Sequence, residues 1–571
     1  MRRLLPVLAV MTALMLSAAS AYEITDREPT YASAGGKVTI TILETNDVHG
    51  NIYPYDYFRG RDDDRGLAVA ATMVEEYRAK NANTILLDAG DLIQGSPLSY
   101  LFNHKHPEYP NPMIAVLNAM DYDAFAVGNH DIEQGKPVYD KCRGESNFPW
   151  LAANAELADG SCYFEPYLIK EIAGVRIGVL GLCTPGIPLW LNQELYPGVE
   201  FKDMVETARK WVPIMREREK VDLLIGLFHA GINEEYDSEA AARAGIPLPN
   251  AAKLVAEQVP GFDVILTGHS HQVIPSDRHP ESVFNGVHII QAGRWGFNLG
   301  VVEVEMTASE GRWEVSNISE EIRNLRGVPA DSSILAMTKE YHEMTLEYTN
   351  RIIGELEVPI AGRTALVEDT PLLDLVNDVQ LWASGAEVSF TSCFNTYLDL
   401  QPGGLSIRDV YQIYRYENFL SKLEMTGAQI DGYLEHAAKY YRQYPFSGGE
   451  TVDREIRHYN VDTAQGIEYT VDISNPIGER VEISGFSNGG IFHADSTYTV
   501  AMNSYRAEGG GGFMGAAEAD SPRVLWKSDR DVRELIIEYF SAEDPVKTGC
   551  DGNWKVLPRE AETILLDSVG K

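Results

Sequence analysis

A repeated unit limits the folds open to residues 37–305 of this chain: a short apolar run, then at once a polar side chain of the kind that binds metal ions. The runs cover residues 38–43, 84–87, 124–127, 177–180, 221–228 and 264–267. Stretches with helical periodicity separate them, and strands that alternate with helices are typical of an α/β domain. The sequence therefore predicts an α/β fold for this part of the chain.

Five of the runs are followed by candidate metal ligands, which are Asp47 and His49, Asp91, Asn129, His229, and His269 with His271. In α/β sheets, ligands collect at the carboxyl ends of strands, so these side chains can converge although they are far apart in sequence. In an extended Asp-x-His or His-x-His segment, the side chains at i and i+2 point to the same side and can hold one ion. One such motif alone is usually structural, but five together predict a dinuclear metal site.

With these motifs the chain resembles the calcineurin-like metallophosphoesterases, specifically the exported 5′-nucleotidase superfamily and its bifunctional 2′,3′-cyclic-nucleotide 2′-phosphodiesterase/3′-nucleotidase branch. The resembling segments are LETNDVHGN at 43–51, DAGDLIQGSP at 88–97, TGHSH at 267–271 and NGVHIIQAGRWG at 285–296. The resemblance implies an N-terminal sandwich of two sheets flanked by helices over residues 22–327. It also implies a linker helix over 328–354 and a C-terminal α+β nucleotide-binding domain over 355–571.

The resemblance also assigns roles to the candidate ligands. Asp47, His49 and His271 would hold one divalent cation, Asn129, His229 and His269 a second, and Asp91 would bridge the two. Carboxylate, amide and imidazole ligands suit Mn, Zn, Co, Fe or Mg, so the identity of the two ions stays open. Such a pair supplies a nucleophile and charge stabilisation for phosphoryl transfer.

His130 follows the candidate ligand Asn129, and the resemblance places it beside the leaving group, not on a metal. There it would donate a proton or stabilise charge on the phosphoryl oxygen while a carboxylate orients its ring. Two carboxylates are candidates for that role, Glu133 three residues later and Asp131 next in sequence.

The C-terminal part carries two further segments of interest, IYRYEN at 413–418 and NSYRAEGGGGF at 503–513. Four consecutive glycines cost backbone entropy unless close approach is needed, and this segment resembles the family's nucleoside-binding loop. By that resemblance Tyr416 and Tyr505 would stack on the base, and the other candidate substrate contacts are Asn395, Asn503, Arg506, Gly510 and Gly511.

The N-terminus has the pattern of a secretory signal, with Arg2 and Arg3, an apolar run over 4–16 and small residues before a predicted cleavage after Ala21. Exported chains can form disulfides, and of the five cysteines Cys142 and Cys162 lie closest in sequence, so we expect them to pair. We therefore expect a periplasmic or secreted protein with no membrane contact after cleavage.

Composition bears on the partners of the chain. With 48 Lys and Arg against 84 Asp and Glu, the net charge of −36 argues against binding a nucleic acid polymer, because the chain would repel phosphate backbones. The expected partners are nucleotide substrates, and the expected state is a monomer.

The leading functional hypothesis is hydrolysis of 2′,3′-cyclic nucleotides to 3′-nucleotides, and of these to nucleoside and phosphate. Residues 389–404 contain neither the Asn-Gly-Gly segment nor the nearby Arg of the 5′-nucleotidase branch, which favours the cyclic-nucleotide branch. The alternatives are a 5′-nucleotidase or nucleotide-sugar hydrolase, a sulfur-ester hydrolase with the same metal motifs, and a non-catalytic nucleotide-binding protein.

Overall fold

The computed structural model describes residues 36–233, 238–309, 311–447, 449–519, 522–542 and 549–569. The predicted signal segment 1–21 lies outside these residues. The described chain forms an N-terminal α/β domain, a helical linker and a C-terminal α+β domain, which confirms the predicted fold class.

The strands of the N-terminal domain are β1 (Lys37–Thr45), β2 (Tyr55–Asp56), β3 (Arg61–Asp62), β4 (Thr84–Asp88), β5 (Ala124–Ala126), β6 (Trp150–Leu151), β7 (Ala155–Leu157), β8 (Tyr167–Ile172), β9 (Val175–Cys183), β10 (Val199–Phe201), β11 (Leu223–His229), β12 (Val264–Thr267), β13 (Val273–Ile274), β14 (Val283–Phe284), β15 (Val287–Ala292), β16 (Asn298–Ser309) and β17 (Arg312–Asn324). All six apolar runs singled out in the sequence lie on strands, namely β1, β4, β5, β9, β11 and β12.

Two large sheets organise this domain. One has the order β17-β16-β1-β4-β5-β6, and the other has the order β13-β15-β12-β11-β9-β8 with β14 added beside β15. The pairs β1/β4, β4/β5, β9/β11 and β11/β12 are parallel. Since parallel neighbours end at the same edge, the polar residues after these strands are brought together.

A shared apolar core holds the two sheets face to face. Its buried side chains come from both sheets, with Ile42 and Ile85 on one and Val179, Ile225 and Leu266 on the other. Parallel strands covered on both faces read as nearly continuous apolar runs, which is why the sequence revealed them.

Helices cover the outer faces of the sandwich. They are α1 (Leu67–Lys80), α2 (Pro97–Tyr100), α3 (Pro112–Ala119), α4 (Asn129–Glu133), α5 (Lys136–Glu145), α6 (Ile187–Trp190), α7 (Met204–Pro213), α8 (Ser238–Ala244) and α9 (Ala252–Gln258). The helices pack against the sandwich through two further apolar clusters, one on the outer face of each sheet.

The linker differs from the single helix expected from the sequence. Asp331 caps α10 (Ser332–Met337) by accepting from the backbone N–H groups of Ser333 and Ile334. The backbone then leaves helical geometry at Thr338 (φ −101°, ψ 7°), and a second helix, α11 (Lys339–Asn350), follows. The last residues of the expected linker, up to Gly354, are already in the first strand of the next domain.

The C-terminal domain contains β18 (Ile352–Leu356), β19 (Ile360–Ala361), α12 (Pro371–Ser384), β20 (Val388–Ser392), β21 (Asp399–Leu400), β22 (Gly403–Ser406), α13 (Ile407–Ile413), β23 (Phe419–Thr426), α14 (Gly427–Ala438), β24 (Asp462–Gln465), β25 (Ile467–Asp472), β26 (Val481–Phe486), β27 (Thr497–Asn503), α15 (Ser504–Ala507), α16 (Phe513–Ala516), β28 (Arg523–Asp531), α17 (Val532–Ala542), β29 (Trp554–Leu557) and α18 (Arg559–Val569). A five-stranded sheet of order β24-β20-β27-β23-β28 and a three-stranded sheet of order β26-β25-β29 share one apolar core.

A buried polar contact joins the two domains. Gln134, directly after α4, donates from Nε2 to Oε2 of Glu417 at 2.8 Å, and Arg533 on α17 lies 3.2 Å from Oε1 of the same carboxylate. The Arg533 guanidinium, 3% exposed, also lies over the rings of Tyr100 and Tyr411. The segment around Glu417 is therefore fixed to the loop that carries the N-terminal candidate site.

The predicted disulfide between Cys142 and Cys162 is wrong, because all five cysteines are free thiols. Cys142 lies on α5 and is buried in the apolar cluster on the outer face of the first sheet. Cys162 packs against the corresponding cluster of the second sheet and donates from Sγ to the carbonyl of Ala153. The two thiols thus belong to different cores.

None of the helices in the described ranges combines the length and apolar character that crossing a bilayer requires.

Candidate metal centre

The candidate ligands lie on loops at the carboxyl edges of both sheets. Asp47 and His49 follow β1, Asp91 follows β4, and Asn129 opens α4 after β5. From the second sheet, His229 ends β11, and His269 and His271 follow β12. The first two loops are bonded to each other, since the His49 amide donates to the Asp91 carbonyl at 2.9 Å.

The backbone at these ligands is unusual. Five of the seven have φ in the left-handed region, with values of 48° at Asp47, 49° at His49, 58° at Asp91, 73° at His269 and 58° at His271. Non-glycine residues rarely adopt such values, and strain of this kind concentrates at functional sites. The loops also leave no space for larger neighbours, because a Cβ on Gly128 would lie 2.1 Å from Oδ1 of Asp91.

The first ligand group consists of Asp47, His49 and His271, whose ligand atoms all lie within 4.8 Å of one another. Nε2 of His49 and Nε2 of His271 are 3.0 Å apart, and the latter is 3.5 Å from Oδ1 of Asp47. Burial and the neighbouring His271 lower the pKa of His49 to about 3. Its imidazole is therefore neutral, which is the form that binds metal.

The second group consists of Asp91, His229 and His269, with Asn129 between the two imidazoles. Oδ1 of Asn129 lies 3.1 Å from Nε2 of His229 and 2.8 Å from Nδ1 of His269. Oδ2 of Asp91 is 3.1 Å from Nε2 of His229 and 4.0 Å from Nε2 of His49 in the other group. Asp91 thus faces both groups, in the position that a bridging carboxylate requires.

Supporting hydrogen bonds fix the ring orientations. Nδ1 of His229 lies 2.8 Å from the Ala89 carbonyl, and Nδ1 of His49 lies 3.1 Å from the Gln94 carbonyl. Since these carbonyls can only accept, each Nδ1 carries a proton. At His49, whose ring is neutral, Nε2 therefore presents a lone pair.

The donor set fits two divalent cations. Oδ2 of Asp91 is fully buried and has no hydrogen-bond donor among the described residues. Nε2 of His229 and Nε2 of His49 lie 3.1 Å and 4.0 Å from it, and a mixture of carboxylate, amide and imidazole ligands suits Mn, Zn, Fe or Co. Seven residues would hold the two ions, namely Asp47, His49, Asp91, Asn129, His229, His269 and His271.

His130 lies beside the two groups, with its ring 5.4 Å from that of His49. Its Nδ1 is 2.5 Å from Oε2 of Glu133, so Glu133 is the carboxylate that contacts it. Burial disfavours the imidazolium, but the charges of Glu133 and Asp91 outweigh it and raise the pKa of His130 to about 10. The ring is therefore held protonated.

Asp131, the alternative partner, has a different place. Its two carboxylate oxygens accept from the backbone amides of Asp91, Leu92, Ile93 and Gly128 at 2.9–3.0 Å. It therefore anchors the loop that carries Asp91, whereas Glu133 is the carboxylate bonded to His130.

The C-terminal candidates divide into two kinds. Tyr416 is 38% exposed, and its ring packs edge-on against Phe394 (centroids 5.2 Å apart) and near Tyr459 (6.5 Å). Tyr505 on α15 is partly exposed and packs directly on Gly510, where a Cβ would lie 2.4 Å from its ring. Both tyrosines offer aromatic surface for stacking.

The polar candidates are bonded to other groups of the protein. Arg506 is 2% exposed and forms a two-point ion pair with Asp462, with further bonds to the carbonyls of Tyr459 and Gly510. Asn503 caps α15 by accepting from the Arg506 amide. These bonds shape the loop, and the role of both residues in substrate binding stays a prediction.

Asn395 and Gly511 are also structural. Asn395 donates to the Gln412 carbonyl at 3.2 Å and accepts from the Tyr397 amide. Gly511 has φ 72°, and a Cβ there would lie 2.6 Å from Nη1 of Arg506. The run of glycines therefore gives space to Arg506 and Tyr505.

Sequence reasoning missed three residues beside the site. Nη1 of Arg294 lies 3.2 Å from Nδ1 of His271, and Trp190 stacks on His269 with ring centroids 5.2 Å apart. Glu417 reaches Gln134 from the other domain. Arg294 lies in the family segment 285–296 and Glu417 in the segment 413–418, so the sequence marks both neighbourhoods, whereas no motif marks Trp190.

Comparisons with known proteins agree with this architecture. Residues 40–273 match the family model of the calcineurin-like phosphoesterases, and residues 352–518 match the model of the 5′-nucleotidase C-terminal domain. The chain is 28% identical to the trifunctional nucleotide phosphoesterase YfkN of Bacillus subtilis over 94% of its own length, but it spans only 40% of that relative.

Two further similarities cover nearly whole chains. The chain is 28% identical to the 2′,3′-cyclic-nucleotide 2′-phosphodiesterase/3′-nucleotidase of Salmonella typhimurium, covering 92% of this chain and 90% of that one. A crystal structure of a candidate 5′-nucleotidase from Staphylococcus aureus is 25% identical and superimposes with a TM-score of 0.78, covering 91% of this chain and 100% of that one.

Proposed function

The chain belongs to the calcineurin-like phosphoesterases with a 5′-nucleotidase C-terminal domain and is a phosphoric ester hydrolase, and we propose that it acts on 2′,3′-cyclic nucleotides. The reaction would open the cyclic ester to a 3′-nucleotide and then release nucleoside and phosphate. Export to the periplasm or the medium is part of the proposal, supported by the signal pattern at residues 1–21.

The observation that carries the proposal is the position of the exposed Tyr416 beside the metal centre. Nη1 of Arg294 lies 3.2 Å from Nδ1 of the candidate ligand His271, and Tyr416 is close enough to this arginine to act on it electrostatically. The Gln134–Glu417 contact fixes the segment of Tyr416 to the helix that carries His130. A nucleoside stacked on Tyr416 would therefore lie next to the phosphoryl-binding groups.

Each part of the site has an assigned task in this proposal. A pair of divalent cations supplies Lewis-acid stabilisation and activates water for attack on phosphorus. His130, protonated at both ring nitrogens, would donate from Nε2 to the leaving oxygen while Nδ1 stays bonded to Glu133. The aromatic surface of Tyr416 would orient the base without reading its edges, because stacking tolerates any base.

The preference for the 2′,3′ ester rests on groups that residues 389–404 lack. This segment has no Arg, and its Asn395 is bonded within its own turn. The next arginine in sequence, Arg408, donates from Nε to the Tyr57 carbonyl at 3.1 Å and ties the two domains together. A phosphate at the 5′ position would thus find little to bind it here.

The test is release of phosphate from a panel of 2′,3′-cyclic, 3′- and 5′-nucleotides with added Mn²⁺, Co²⁺, Zn²⁺ or Mg²⁺. We expect kcat/KM for 2′,3′-cyclic AMP to exceed that for 5′-AMP by at least about tenfold, or roughly 1.4 kcal/mol. A 5′-nucleotidase is the second candidate, favoured by the similarity to the Staphylococcus aureus structure. Faster turnover of 5′-AMP would select it.

A further inference from the structure

A second group of potential metal ligands lies in the C-terminal domain, on elements that carry none of the candidate ligands described above. Asp369 precedes the N-cap of α12, Asp374 is in the first turn of this helix, and Cys550 lies in the loop before β29. One ligand atom from each of the three lies within 4.8 Å of the others. Chain segments almost two hundred residues apart therefore meet at one point.

The two carboxylates are held in place by backbone donors from the β29 loop. Oδ2 of Asp369 accepts from the Gly552 amide at 2.8 Å and from the Cys550 thiol at 3.1 Å. Oδ2 of Asp374, which is only 4% exposed, accepts from the Asp551 amide at 3.0 Å. Cys550 is exposed, and its thiol is bonded to the Asp369 carboxylate.

Negative charge accumulates at this cluster. Among the described residues, no lysine or arginine forms an ion pair with Asp369, Asp374 or Asp551. Buried carboxylates of like charge must share a proton or bind a cation.

A buried amide lies beside the same cluster. Gln465 is 7% exposed, and its Nε2 donates to Oδ2 of Asp551 at 2.8 Å. Its Oε1, on the same amide carbon, is buried and forms no hydrogen bond within the described residues, and the same holds for Oδ1 of Asp369. Both unsatisfied atoms are acceptors only, so what they lack is a donor or a positive charge. A bound cation satisfies both atoms and the carboxylates together.

We propose that Asp369, Asp374 and Cys550 bind one divalent cation, with Oε1 of Gln465 at the edge of the same site. A sulfur ligand beside carboxylates selects a thiophilic ion such as Zn²⁺ over Ca²⁺ or Mg²⁺. On binding, the Cys550 S–H bond breaks, the sulfur keeps the electron pair for the metal, and the proton goes to solvent. The ion would clamp the start of α12 to the β29 loop.

Cobalt substitution tests the proposal with a signal that the catalytic centre does not give. None of the seven candidate ligands of the N-terminal domain is a cysteine, so a thiolate-to-Co²⁺ charge-transfer band in the near ultraviolet would report on this site alone. We expect this band in the Co²⁺-loaded full-length protein. Metal analysis of the Zn²⁺-loaded protein should give one equivalent more for the wild type than for Cys550→Ser.

The controls separate this site from the catalytic one. Asp369→Asn should lose the band as Cys550→Ser does, because the thiolate alone does not hold the ion. Cys162→Ser, which removes a partly buried thiol elsewhere, should keep it. Asp91→Ala should keep it as well, so the outcome is independent of whether the proposed function is right.

Two results obtained with the wild-type protein would overturn the inference, so the test does not depend on how well a variant folds. One is the absence of the band in wild-type protein that has bound Co²⁺ elsewhere. The other is an extra equivalent of Ca²⁺, not Zn²⁺, with the thiol of Cys550 still protonated. A band that survives in Cys550→Ser would equally exclude this residue as a ligand.

Discussion

The loops of the metal centre and the glycine-rich loop of the C-terminal domain both require left-handed backbone, but they meet this requirement differently. In the metal centre, Asp47, His49, Asp91, His269 and His271 themselves adopt positive φ. In the other loop Gly509, Gly511 and Gly512 do so, at φ values of 103°, 72° and 73°. Glycine adopts this conformation at little cost in free energy, whereas other residues are strained in it.

The polar groups of the two loops differ in the same way. In the metal centre, Oδ2 of Asp91 is buried and forms no hydrogen bond within the described residues, and the imidazoles of His229 and His49 face it. In the glycine-rich loop, the guanidinium of Arg506 is buried with all its bonds made to the protein. Buried polar atoms left unsatisfied indicate a place for a ligand, and satisfied ones indicate architecture. Mutations should separate the two cases.

Removing the bridging carboxylate should have the largest effect. Asp91→Ala leaves the two cations with no shared protein anion, so we expect kcat to fall at least about 1,000-fold, or roughly 4 kcal/mol, with lower bound metal. Steady-state kinetics and metal analysis by mass spectrometry measure both. Asp159→Ala, an exposed acid of the same domain, is the control. Near-normal turnover with two metals still bound would contradict the assignment of Asp91.

Removing Arg506 should instead destabilise the C-terminal domain. Arg506→Ala leaves Asp462 buried and unpaired, which costs about 3–5 kcal/mol. Thermal unfolding should show a lower Tm, with kcat/KM per folded molecule nearly unchanged. The opposite pattern, an unchanged Tm with a large rise in KM, would return Arg506 to the substrate-binding residues.

This contrast also explains what the sequence could predict. The metal ligands were found because residue type and position agree: each follows a buried strand, and strand ends converge whatever lies between them. The strands at the centre of the two N-terminal sheets follow from the same local pattern, because each of the six apolar runs lies on a strand.

The contacts that could not be predicted depend on tertiary packing. Nothing in the run 503–513 shows that Arg506 pairs with Asp462, because this partner lies on β24, 44 residues earlier in the sequence. The Gln134–Glu417 contact depends on how the two domains meet. The cores that separate Cys142 from Cys162 are likewise invisible in a sequence where the two thiols lie close together.

The aromatic surface should respond more mildly than either buried group. Tyr416→Ala removes a stacking face worth about 1–3 kcal/mol, so we expect KM for nucleotides to rise while kcat for a phosphoester without a base stays unchanged. Kinetics on 2′,3′-cyclic AMP and on bis-p-nitrophenyl phosphate compare the two. Tyr416→Phe keeps the ring and should behave as wild type. An equal loss on both substrates would mean that Tyr416 serves the chemistry and not the base.

The smallest effect should come from Glu133→Gln, and it should depend on pH. The charge of Glu133 raises the pKa of His130 to about 10, against the opposing effect of burial, so the protonated ring persists into alkaline solution. A group with a raised pKa keeps its proton up to that higher pH. Replacing Glu133 by Gln removes the negative charge that favours the protonated His130 ring. The alkaline limb of the kcat profile should therefore move to lower pH, with a loss of about tenfold above neutrality and little loss in acid.

Asp131→Asn is the matched comparison, because its carboxylate holds the Asp91 loop through backbone amides. It should lower Tm and metal content without moving that limb. If Glu133→Gln leaves the limb in place, His130 does not act as the proton donor.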